Sequence, residues 1–101
     1  MTRKVKQNGT DSMYEAILLL KDREECKRFF EDLCSPTELR SMEQRFDVAV
    51  YLMQDNVYAD ILEKTGASSA TISRVRRNIL DSASGGAMRE LIERLGLALQ
   101  E

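Results

Sequence analysis

Apolar positions in this chain recur three and four residues apart rather than at every second residue, and that period predicts helices throughout. Residues 1–10 are polar, carry Arg3, Lys4 and Lys6, and read as a disordered basic arm ahead of a single domain over residues 11–101. The first helix is expected to start at Asp11 or Ser12, both good N-caps. Its stripe is Met13, Ile17 and Leu20, widened by Tyr14, Leu18 and Leu19. Asp22 and Glu25 have capping-box spacing and open a second helix through Cys34, with Cys26, Phe29, Phe30 and Leu33 apolar. Ser35-Pro36 is a cap followed by proline at the first helical position, so a third helix starts there and runs to about Gln54. Leu39, Met42, Phe46, Ala49 and Met53 form its stripe, and Val48, Tyr51 and Leu52 carry apolar surface round to a second side.

Asp55 and Asn56 break the pattern. A short fourth helix follows over residues 57–64 with Ile61 and Leu62 inward, and Thr65-Gly66-Ala67 forms a turn. Ser68 or Ser69 caps a fifth helix that ends near Leu80. Small residues from Asp81 to Gly86 read as a flexible link. A sixth helix runs from Ala87 to about Leu99, with Met88, Leu91, Ile92, Leu95 and Ala98 or Leu99 on its stripe.

Composition changes this picture in one respect. A chain of 101 residues is one domain with a limited core, and association is a common remedy at that size. The second apolar side of the third helix is therefore covered either by a second subunit or by an intramolecular core. The chain has no histidine, and its two cysteines, Cys26 and Cys34, form no C-x-x-C pair, so no metal site is expected. Reduced thiols, no apolar segment after the basic start, and apolar runs such as Ala16 to Leu20 that are far too short to span a bilayer point to a cytoplasmic protein without a membrane partner. Without histidine, a glycine-rich phosphate loop or a nucleophile motif, an enzyme is not expected.

Charge narrows the function. The net charge is −2, yet Lys64, Arg74, Arg76 and Arg77 lie between Lys64 and Leu80 with no acidic residue among them, leaving −6 on the rest. A basic segment on an acidic body is the footprint of a focused anion-binding face, and a merely solvated helix face has the same signature. The order short helix, glycine turn, second helix over Tyr58 to Arg77 is that of a helix-turn-helix. Taking Ile72, Val75 and Ile79 as the core side of the second of these helices, at about 100° per residue, the opposite face holds Ala70, Ser73, Arg74 and Arg77, flanked by Thr71 and Arg76. Small residues near the N-terminal end allow close approach to base edges. Serine and threonine bond either base type, and arginine forks onto guanine or phosphate. The helix start at Ser68 and Ser69 is an anion site in its own right. The candidate DNA-binding residues are thus Ser68, Ser69, Ala70, Thr71, Ser73, Arg74, Arg76 and Arg77, for double-stranded DNA. The competing reading is a helical dimeric protein-interaction module without specific DNA binding, which the low net charge favours slightly.

Gly66-Ala67-Ser68-Ser69-Ala70-Thr71-Ile72-Ser73-Arg74 closely resembles the recognition-helix segment of the tryptophan repressor, G-A-x-x-A-T-[IV]-[ST]-R. Ser35-Pro36 at the head of a long helix with Arg45 on it adds to the resemblance, which covers roughly residues 30–80 and is nearest to the Trp-repressor-like YerC/YecD family of bacterial proteins. It implies an all-α, six-helix Trp-repressor-like fold, an intertwined homodimer, and two recognition helices presented to successive major grooves by a transcriptional regulator, a repressor by analogy. The two arginines that hold the amino-acid corepressor in that family match Arg45 and Arg74. A small-molecule corepressor at this pair is one role; phosphate contacts or ion pairs are the other. Val75 stands where the repressor has a glycine beside its indole pocket, and the turn between the third and fourth helices is one residue shorter. A branched side chain there crowds an indole, so tryptophan is not the expected ligand. No other cofactor is expected.

Overall fold

A computed structural model describes residues 10–80 and 86–97. Among them the chain forms six helices and no strand: α1 (Thr10–Ile17), α2 (Arg23–Leu33), α3 (Pro36–Met53), α4 (Tyr58–Thr65), α5 (Ser69–Leu80) and α6 (Ala87–Arg94). Apart from Thr10, which opens α1, the expected basic arm lies outside the described residues, as do most of the link before α6 and the expected stripe positions Ala98 and Leu99. None of the described helices is long and apolar enough to cross a membrane. Two units are distinguished, Met1–Leu39 and Arg40–Glu101.

In the first unit, α1 ends sooner than its apolar run suggests. The amides of Leu19 and Leu20 turn back to the carbonyls of Ala16 and Ile17, a tightened last turn. The stripe itself, Met13, Ile17 and Leu20, is half-buried, whereas Leu18 and Leu19, which widen the expected apolar surface, are 83% and 76% exposed. The cap of α2 forms as its spacing predicts: Asp22 accepts from the Glu25 amide at 2.9 Å. Glu25 reaches one residue further back than in a standard box, accepting from the Lys21 amide at 2.9 Å. Cys34 caps the other end, its amide bonding the Phe30 carbonyl, and both cysteines are free thiols. The rings of Phe29 and Phe30 meet edge-on at 5.2 Å. No residue of α2 is buried.

Ser35 starts α3 with a reciprocal box that the S-P-T-E spacing encodes. Its hydroxyl accepts from the Glu38 amide at 3.1 Å, while the Glu38 carboxylate accepts from the Ser35 amide at 2.8 Å. At the far end, Asp55 takes the left-handed conformation (φ 63°), its amide bonds the Leu52 carbonyl and that of Asn56 the Tyr51 carbonyl. This is the break expected at Asp55-Asn56, closed by an aspartate in place of glycine.

The core lies in the second unit. Val48 and Ala49 of α3, Ile61 of α4, Ala67 of the turn, Ile72, Val75 and Ile79 of α5 and Ile92 of α6 are buried together, with Phe46, Tyr51, Leu52 and Met88 among the half-buried residues around them. Leu62, expected inward on α4, is instead 36% exposed: the core takes Ile61, and the next residue lies about 100° round the helix. The sixth helix is shorter than its stripe. Gly96 at φ 75° closes it, with the Gly96 amide on the Glu93 carbonyl and the Leu97 amide on the Ile92 carbonyl, the two bonds of a Schellman turn. Ile92 is fully buried, but Leu91 and Leu95 are 52% and 62% exposed, because a helix of eight residues turns only one of them fully into the core.

Candidate nucleic-acid interface

The turn between α4 and α5 has the geometry that its glycine allows. Gly66 closes α4 in the left-handed conformation (φ 72°, ψ 7°), and its amide bonds the Leu62 carbonyl. A side chain at that φ is strained even though open space surrounds the position. The Thr65 hydroxyl donates to the Ile61 carbonyl at 2.7 Å and accepts from the Ala67 amide at 3.1 Å. Ala67 is then buried, and the Ser68 hydroxyl caps α5 by accepting from the Thr71 amide at 3.1 Å. The same hydroxyl donates to the Thr71 hydroxyl at 3.1 Å.

On α5 the periodicity resolves into two faces. Ile72, Val75 and Ile79 are 0%, 2% and 6% exposed and hold the helix to the core. Ser68, Ser69, Ala70, Ser73, Arg74 and Arg77 are all exposed, and Thr71 is half-buried. No acidic residue occupies the first turn, so nothing there opposes an anion at the helix start. Among the described residues, Arg74, Arg76 and Arg77 form no hydrogen bond or ion pair, and neither does Arg45, exposed on α3. The ion pairs weighed for Arg45 and Arg74 are therefore not among the contacts of this chain's described residues.

Two basic residues stand apart from the outward face. Arg76 is exposed but lies on the flank of α5, lining a groove with Leu52, Met53, Asp55, Leu80, Arg89 and Glu93. Lys64 is folded back: its ammonium donates to the Asn56 side chain at 3.1 Å and sits 5.0 Å from the centre of the Tyr51 ring. Asn56 in turn donates to the Tyr51 carbonyl at 3.0 Å. Linear charge counting groups Lys64 with the arginines; the fold uses it to brace the end of α3.

Periodicity leaves out a further residue, Gln44. Its side-chain amide, part-buried on α3, donates to the Thr65 carbonyl at 3.0 Å, across 21 positions of sequence. Its neighbours on that side of α3 include Arg40, Ser41 and Asp47, so no periodic signal singles it out.

The profile of the Trp repressor protein family matches residues 8–95. The chain belongs to the Trp repressor family. It is 50% identical to the uncharacterized protein YerC of Bacillus subtilis (strain 168) over 74 residues, 73% of this chain and 71% of YerC. Among solved structures, a TrpR-like protein from Eubacterium eligens superposes with a TM-score of 0.85 at 43% identity, over 96% of this chain and 97% of that one. A protein described as a candidate Trp repressor from Staphylococcus aureus gives the same TM-score at 38% identity, over 94% and 93% of the two chains. The all-α, Trp-repressor-like fold is thus shared along nearly the whole chain, and the Trp repressor family is one of regulators rather than enzymes.

Proposed function

We propose that this member of the Trp repressor family is a sequence-specific DNA-binding regulator, a repressor by family analogy, that acts as a homodimer and lays α5 in the major groove. One observation carries the reading: α5 buries a complete apolar row while its opposite face presents Ala70, Ser73, Arg74 and Arg77 exposed, the arginines unengaged within the described chain. Such a face meets base edges through small and hydroxylic side chains and phosphates through the guanidinium groups. Thr71 and Arg76 extend it on its flanks, and the amides at Ser68 and Ser69 favour a phosphate at the helix start.

The homodimer is supported by what the chain leaves uncovered. Tyr14, Leu18, Leu19, Leu33, Val57, Leu80, Leu91 and Leu95 are all more than half exposed. A second copy would give these side chains cover that the single chain leaves open. A two-fold dimer presents two copies of α5, matching palindromic half-sites about 34–36 Å apart, one turn of the duplex. In this reading residues 11–101 form the DNA-binding domain, and the basic arm before them adds contacts to the DNA backbone.

We assign Arg45 and Arg74 to DNA phosphates rather than to a corepressor. Val75 is part of the buried core, which supports the reading that no indole enters beside Arg74. Selection of duplexes from a random library by the purified protein, followed by a salt series on the enriched site, tests the whole reading. The expected result is a two-fold symmetric site with a steep salt slope, unaltered by added tryptophan. Arg74→Ala and Arg77→Ala are each expected to weaken binding about equally on all duplexes and to lower the salt slope by about one ion. Unchanged affinity in both variants rejects the proposed face. Failure to enrich any site favours the protein-interaction module.

A further inference from the structure

Among the described residues, one side chain from outside the α4–α5 pair hydrogen-bonds the corner between them. The carbonyl of Thr65, in the last turn of α4, lacks an intrahelical partner because the helix ends there and Gly66 turns the chain away. Gln44 of α3 supplies that donor at 3.0 Å in a part-buried position. Beside this bond, the Thr65 hydroxyl accepts from the Ala67 amide, and the next residue, Ser68, caps Thr71 in the first turn of α5. Among the described residues, Thr65, from which the turn to α5 leaves, is therefore tied to α3 by one directional bond. Ile61, Ile72 and Val75 also bind these elements together, but apolar contact is non-directional and tolerates small rotations. A hydrogen bond weakens steeply as its angle is lost.

We propose that Gln44 is a positioning residue for the recognition helix: by holding the Thr65 carbonyl, its amide fixes the orientation in which Ala70, Ser73, Arg74 and Arg77 face a duplex. This rests on the DNA-binding reading above. Base contacts demand an accurate helix orientation, whereas phosphate contacts with long arginine side chains do not. Loss of the bond therefore acts on discrimination between sequences before it acts on general affinity.

Gln44→Met removes the donor and keeps the length of the side chain. Its affinity is compared with that of the parent protein for the selected duplex and for a scrambled duplex of equal length, at one salt concentration. Amide exchange at residues 67–72 is followed without DNA. The selected-site affinity is expected to fall on the order of tenfold, while that for the scrambled duplex stays within about twofold. Exchange at residues 67–72 quickens, and exchange at Ile92 does not change. Equal losses on both duplexes, no loss on either, or unchanged exchange at residues 67–72 overturns the proposal. If Gln44→Met does not fold, the parent protein still decides: the Gln44 side-chain amide protons must exchange more slowly than those of a free glutamine, and equal rates overturn the proposal. A parent protein that prefers no duplex refutes the DNA-binding reading instead, and the exchange measurements then test the positioning role alone.

Discussion

α5 and the α1–α2 segment both carry apolar stripes at helical spacing, but only that of α5 is fully buried, that of α1–α2 being at most half-buried. On α5 the stripe is spent inside the chain, with Ile72, Val75 and Ile79 at 0%, 2% and 6% exposure and small or basic residues on the far side. No described residue of α1 or α2 is buried, and the run after α1 leaves Leu18 at 83% and Leu19 at 76% exposure. Apolar spacing thus predicts a helix and the face that seeks cover, but not whose surface provides the cover. A chain of 101 residues, with eight core residues among those described, is of the size at which association commonly completes a core. A second copy is the occupant that the homodimer reading assigns.

The largest effect is expected at the satisfied stripe. Ile72→Ala removes a fully buried branched side chain from the middle of the core and should lower unfolding stability by about 2–5 kcal/mol in a denaturant titration. A loss below about 1 kcal/mol would mean that the site collapses around the cavity and that the α5 row does less to hold the fold than its burial suggests. Next comes the unsatisfied stripe. Leu19→Ser exposes nothing new in the single chain, so its effect should appear in association. If the leucine is covered in the dimer, about 1.5–3 kcal/mol is lost, and the dissociation constant measured by sedimentation rises on the order of tenfold or more. An unchanged dissociation constant would place the dimer surface elsewhere and make the contrast between the two stripes accidental.

How far the sequence disclosed this arrangement follows from the range of each interaction. Ser35-Pro36, the Asp22–Glu25 cap, the row Ile72, Val75 and Ile79, and the left-handed Gly66 are local features, and each is present as its spacing implies. The ends of α1 and α6 were overestimated because apolar residues continue past the point where the backbone closes. At α6 the signal was available in Gly96, a Schellman glycine set inside a tempting leucine row. Leu62 was misplaced because a narrow core takes one of two adjacent apolar residues on a short helix. Within the site, the exposure of Arg74 and Arg77 was legible from the helical period. The retirement of Lys64 onto Asn56 and Tyr51, and the bond from Gln44 to Thr65, were not, because they join residues distant along the chain and leave no periodic trace.

The smallest effects compare the two regions most directly, because the same device occurs in each. Ser35 and Ser68 both cap a helix by accepting, at 3.1 Å, from the amide three residues on. Replacement of either by alanine removes about 1 kcal/mol from its own helix start. The consequences differ with what each start supports. α5 turns into the core at Ile72, one residue after the capped amide of Thr71, so fraying there disturbs buried packing and Ser68→Ala should lower the global melting temperature. At the start of α3, residues 36–43 are exposed apart from the half-buried Leu39, so in a single chain Ser35→Ala should only let the first turn open locally. Amide exchange at residues 37–40 would quicken while the melting temperature barely moves. At protein concentrations where the dimer is complete, however, a covered α3 start would make the two substitutions equally costly. A melting curve for each variant below and above the dimer dissociation constant therefore distinguishes an end of α3 that stays in water from one that the second copy buries.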